Sequence, residues 1–200
     1  MPTMSKTTRT LIVFILMYSL FSVMAANSDA TVVKPLNLSQ LTMQADLIFS
    51  GKVLATESRW DSTRSKIWTH VTFSVDEVIG GSFAEKEITL RLPGGAIEAD
   101  NIRMRVDGVP EFRVGEEVLL FCSRDPKRMN PIIGWFQGRF KIRLDETLGQ
   151  RVIEGKRAAR LVPGKRVMIR DAKAPPAVTY KDFADEIRRV MESPAPKPKP

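Results

Sequence analysis

Few residues of this 200-residue chain are of a type that does chemistry by itself, and they stand far apart. His70 is the single histidine and Cys122 the single cysteine. A nucleophile–base pair or a zinc site draws on several such groups at once. No second histidine and no cysteine cluster is present to complete one, so His70 reads as a structural or surface residue on the Trp68/His70/Thr72 side of a strand. Cys122 closes the apolar run Val118–Cys122 and reads as a buried thiol, because a reactive one needs an electropositive, partly open setting. Glu98 and Asp100 could hold a cation, but calcium-loop spacing is missing. Gly94-Gly95 lacks the frame of a phosphate loop and reads as a turn. The expectation is no catalytic residue, no metal ligand and no cofactor.

Binding chemistry is better represented. Arg59, Trp60, Arg64 and Lys66 crowd one charged loop, and Trp68 follows it. Aromatic faces beside cations stack on bases, sugars or partner side chains. With Trp135, these are the candidate partner contacts; the plainer reading is aromatics covered by a loop or by the C-terminal helix. A second cluster holds Arg151, Lys156, Arg157, Arg160, Lys165, Arg166 and Arg170 against the single acid Glu154, with Lys197 and Lys199 beyond it. Such a run attracts polyanions or simply solvates a face.

Compartment narrows the partner. Lys6 and Arg9 precede the uncharged run Leu11–Met24, and Val23-Met24-Ala25 offers a small-residue cleavage site. The run is shorter than the roughly 20 residues of a spanning helix, which makes residues 1–25 a secretory signal peptide. The alternative is an inner-membrane signal anchor. Cleavage near Ala25 removes two cations and no acid, taking the net charge from +8 to +6. One cysteine gives no internal disulfide, which suits a bacterial periplasmic or extracellular protein stabilised by packing alone. Nucleic acid is scarce there, so the anion facing the basic cluster would be an envelope component or polysaccharide.

These side chains need elements to carry them. Leu47–Ala55 and Ile67–Val75 alternate with period two, the pattern of strands with one buried face. Glu57–Lys66 joins them as a hairpin loop. Further strands are expected at Ile88–Leu92, Ile102–Val106, Val118–Cys122 and Ile132–Leu144, the fifth covered on both faces. Asn37 and Gln40 mark a capped short helix, and Thr179–Met191 carries an amphipathic stripe. The domain plan is a signal peptide (1–25), a leader (26–36), a β-domain (37–145), a basic β extension (146–171), a linker (172–178), a helix (179–192) and a Pro/Lys-rich tail (193–200). The fold expected is mainly β: a small OB-like antiparallel barrel of five to six strands, with a short N-terminal helix and a C-terminal amphipathic helix.

Ala45–Val53, Val71–Gly80, Gly94-Gly95 and Phe112–Phe121 together follow a recurring pattern. It resembles the skeleton of bacterial netrin-like modules, OB-fold relatives of the tissue inhibitors of metalloproteinases. The chain also resembles uncharacterised exported bacterial proteins that share the ending Trp135-Phe136-Gln137-Gly138-Arg139-Phe140. The resemblance implies a secreted protein-binding module, with a secreted metallopeptidase as one partner. In the inhibitors an N-terminal cysteine chelates the target's zinc; here the mature chain would start at Ala26, and no cysteine precedes Cys122. That mechanism is therefore not carried over. The functional expectation is an exported, non-enzymatic module for protein–protein interaction. The alternatives are an envelope polyanion or polysaccharide binder using residues 151–170, and an enzyme of unassigned type.

Overall fold

The computed structural model describes residues 34–162, 164 and 177–193. The signal peptide, Lys165, Arg166, Arg170 and the Pro/Lys tail lie outside the described residues. All the elements below belong to the unit that begins at Pro35.

Asn37 caps α1 (Leu38–Gln44). Its side chain accepts from the Gln40 amide at 2.8 Å, and the Gln40 side chain accepts from the Asn37 amide at 3.0 Å. This capping box satisfies two amides that a helix start otherwise leaves unpaired. The chain then enters β1 (Leu47–Trp60), the spine of the fold. The first half of β1 pairs antiparallel with β7 (Glu117–Cys122), and residues Ile48–Ser50 also pair with β3 (Glu77–Gly80). The second half pairs with β2 (Ile67–Ser74), after a register shift between Val53 and Ala55. Such an irregularity bends a strand and raises its twist. Gly51 lies just before this shift, where a Cβ atom would stand 1.8 Å from the Ser74 carbonyl oxygen.

Beyond β2 comes β4 (Glu87–Pro93); beyond β7 come β8 (Arg139–Asp145), β9 (Gln150–Glu154) and β10 (Ala177–Thr179). The order is β10-β9-β8-β7-β1-β2-β4 with β3 attached to β1, eight strands in all. A separate hairpin joins β5 (Gly95–Ile97) to β6 (Ile102–Met104) through a 3-10 turn at Glu98–Asp100. Among the described residues two further helices follow, α2 (Lys156–Leu161) and α3 (Tyr180–Glu192).

The fold is thus mixed α/β with an open eight-stranded sheet. This corrects the expected OB-like barrel of five to six strands. A closed barrel needs its first and last strands to hydrogen-bond, and here β4 and β10 end the order apart. Two stretches expected as wall strands behave otherwise. Ile102–Val106 supplies only the three-residue β6, paired with β5 alone. Ile132–Leu144 is not one strand: Ile132 makes an isolated bridge to Cys122, Gly134 and Trp135 are left-handed at φ 61° and 62°, and Trp135–Gly138 is a 3-10 turn. Extended structure resumes at Arg139.

Two cores share β1 and β7. Ile48, Leu119 and Phe121 face the helical side, where Leu41, Phe140, Ile153, Phe183 and Ile187 close over them. Leu47, Phe49, Val118 and Leu120 face the other side, under Val71, Phe73, Leu90 and Leu92 of the bent β2–β4 wing. This two-sided covering is why Val118–Cys122 reads as a continuous apolar run.

Candidate functional site

A hollow lies beside the second core. Beneath the β5–β6 hairpin a cleft of about 860 Å³ opens between the inner face of the wing and the chain from Gly94 to Phe112. Its floor is Val71 and Leu92; Met104, Val109 and Phe112 add half-buried apolar surface, and Thr56 offers a hydroxyl. Arg103 and Glu111 line it with no ion pair among the described residues, and Arg105 has only a 3.9 Å contact with the exposed Asp107. Half-buried apolar side chains beside charged ones, in a concavity of this volume, suit a ligand that is part apolar and part charged.

The hairpin wall of the cleft is well anchored. The Gly94 amide donates to the Ile67 carbonyl at 2.8 Å, and Thr69 Oγ1 donates to the Gly94 carbonyl at 2.7 Å. Gly95 has φ 143°, and a Cβ there would lie 2.4 Å from both Ser58 Oγ and Thr69 Oγ1. The far end is held by Asp100, whose Oδ2 accepts from Trp60 Nε1 at 2.7 Å and from Arg64 Nη2 at 3.0 Å. Arg64 also lies 5.7 Å from the Trp60 ring centroid. Trp60 and Arg64 are therefore brought together, and Asp100 serves as their clamp. Asp61 shapes the loop between them by accepting from the Ser65 and Lys66 amides. Burial pushes the Asp61 carboxyl upward, but those amides and the Ser65 and Thr63 hydroxyls outweigh it and hold it below the ordinary value.

The remaining contact candidates are spread out. Arg59 forks onto Glu57 on the outer face of the wing, and its hydrogen bond is the main reason the Glu57 carboxyl titrates low. Lys66 is exposed without a side-chain partner among the described residues. Trp68 lies on the outer face with the Arg91 guanidinium 4.3 Å from its ring centroid. Trp135 sits elsewhere, packed against Gly108 and so backing one wall of the cleft.

Part of the basic cluster is occupied in the fold. Arg151 stacks 4.4 Å from the Tyr180 ring centroid and comes within 3.5 Å of Glu117. Arg157 donates to the Gln137 and Arg139 carbonyls and stacks on Phe140; burial, then the charge of Arg139, bring its pKa down to about 10. Arg160 is exposed. Lys156 opens α2, but its side chain is outside the described residues.

The two single-residue candidates stand apart from each other. Burial pushes the Cys122 thiol up to about 12. His70 stands in register with Glu57 and Arg91, its Nδ1 buried without a hydrogen-bond partner. Among the described residues no group of three or more His, Cys, Asp or Glu side chains is placed to hold a metal ion. No described helix is long and apolar enough to cross a membrane.

Thr56, Arg103, Met104 and Phe112 were not foreseen as a site. The available signal was Gly94-Gly95, a pair whose φ values of 96° and 143° turn the chain back over the wing. No known family, curated protein or solved structure matches this chain.

Proposed function

We propose that the protein is an exported, non-enzymatic binding module, and that the cleft beneath β5–β6 takes a segment of another protein. The observation that carries this reading is the cleft beside the second core: about 860 Å³, lined by the half-buried Met104, Val109 and Phe112 and by Arg103, which has no ion pair among the described residues. A partner side chain of apolar type would cover the half-buried Met104, Val109 and Phe112. A neighbouring carboxylate on the partner would meet Arg103. Burying one such apolar side chain contributes about 2 kcal/mol, and a charge-assisted hydrogen bond adds a comparable amount.

The test is selection of a displayed random-peptide library on the purified protein. Enrichment of sequences with an acidic residue beside an apolar one is expected. Thr56→Trp, which fills the cleft, and Arg103→Glu, which reverses its charge, should each abolish binding of the selected peptides while leaving the thermal midpoint within a few degrees. Failure to enrich any sequence, or peptides that bind both variants as well as the parent, would remove the cleft as the site.

A further inference from the structure

Strand β4 (Glu87–Pro93) ends the sheet. Among the described residues no backbone hydrogen bond reaches it from any strand but β2. A bare edge of seven residues is a template for another strand unless it is blunted by a bulge, an inward charge or a proline. The register with β2 runs without a shift from Ser74↔Glu87 to Trp68↔Pro93, and the one proline stands at the very end.

The side chains along this edge complement themselves. Glu87, Thr89 and Arg91 share the exposed outer face, and Ile88, Leu90 and Leu92 share the inner one. Glu87 has no ion pair among the described residues, and Arg91 makes only its stacking contact with Trp68. When the strand is set antiparallel against its own copy with a two-fold axis at Thr89, Glu87 faces the partner's Arg91 and Arg91 faces the partner's Glu87. Ile88 then faces the partner's Leu90. Centred on Leu90 instead, Glu87 would face Pro93; centred on Ile88, it would face Thr89. The Thr89-centred register alone sets both charges of the strand against opposite ones, and opposed pairs stabilise a ladder where like pairs destabilise it.

We propose that the protein binds a second copy of itself through this edge, β4 against β4, joining two sheets across a two-fold axis. The contact is isologous, so each Glu87–Arg91 pair is made twice. It lies apart from the clamp of Trp60, Arg64 and Asp100 and does not depend on the reading of the cleft.

Sedimentation velocity over a concentration series, with thermal midpoints read alongside, tests it. A reversible dimer is expected. Glu87→Arg or Arg91→Glu alone creates two like-charge pairs and should weaken the dimer about tenfold or more; the combined swap should restore it. Directly opposed residues of an antiparallel pair have Cα atoms about 4.5–5.5 Å apart, within the span of a disulfide. Thr89→Cys should therefore form an intermolecular disulfide with diamide as oxidant, while the buried Cys122 stays out of reach. A chain that is monomeric at every concentration, or a Thr89→Cys variant that cross-links no better than Glu85→Cys, overturns the proposal. So does a double swap that dimerises no better than the single variants.

Discussion

Asp100 ends the 3-10 turn, and the sequence marks it only as one of two acids that could hold a cation. In the fold its Oδ2 holds Trp60 and Arg64 together across 40 and 36 residues of chain. Two donors on one charged acceptor are stronger than a neutral pair, but the Asp100 side chain is 33% exposed and that of Arg64 70%, so screening by water cuts the benefit. Asp100→Ala is expected to cost about 1 kcal/mol in urea unfolding. Trp60 should lose its fixed environment, seen as a red shift in fluorescence relative to the parent. Asp100→Asn, which keeps an acceptor oxygen, should retain most of the spectrum. A variant whose emission and stability match the parent would show that Asp100 does not clamp the loop. The chemical types of Trp60 and Arg64 were legible in the sequence as binding-capable. Their joint partner was not, because no local spacing ties Asp100 to a hairpin tip so distant in the chain.

The elements show the same division. Period two located β1, β2 and β4, since each has a buried face that alternation records, and a continuous apolar run located β7. Leu47, Phe49, Val53, Val71 and Phe73 are all at most 1% exposed, as that pattern requires. Pairing across the chain is not recorded by alternation, and neither is the difference between a strand and an aromatic-rich turn. Trp135 and Phe136 supply apolar residues at the density of a strand, while the left-handed Gly134 and Trp135 break one there. Gly51 marks the other limit: it reads as one more position in β1, yet it is where two backbones touch. Gly51→Ala would put a methyl against the Ser74 carbonyl and should cost more than about 3 kcal/mol or yield no soluble protein. Gly149 is the control. It has φ 59° but open space around it, so Gly149→Ala pays only the left-handed strain of about 1 kcal/mol. Equal losses for the two in urea titrations would remove the steric account of the bend.

At the scale of the whole molecule, the polar tie between α3 and the spine is the half-buried phenol of Tyr180. Tyr180 donates to Glu77 Oε2 at 2.6 Å and has Ser50 Oγ at 2.7 Å, and Arg188 of α3 also pairs with Glu77. Ser50 is fully buried, so Tyr180 supplies its hydroxyl with a partner that water cannot replace. Burial first, and the hydrogen bond to Glu77 second, push the Tyr180 phenol up to about 12 from an ordinary value near 10. The folded state thus prefers the neutral phenol. Its contribution to stability is complete below the unfolded value and is lost as pH rises from there through the folded one. Tyr180→Phe removes both hydrogen bonds and strands the Ser50 hydroxyl, which should cost about 1–3 kcal/mol at neutral pH. The variant cannot ionise at this position, so it escapes the alkaline loss. Its stability should lie below the parent's at pH 7, and the two curves should approach one another between about pH 10 and 12. Chemical denaturation repeated along that pH series reads the gap directly. A gap that stays constant to pH 12 would mean that Tyr180 is not held neutral by the fold and that the link between α3 and β1 lies elsewhere.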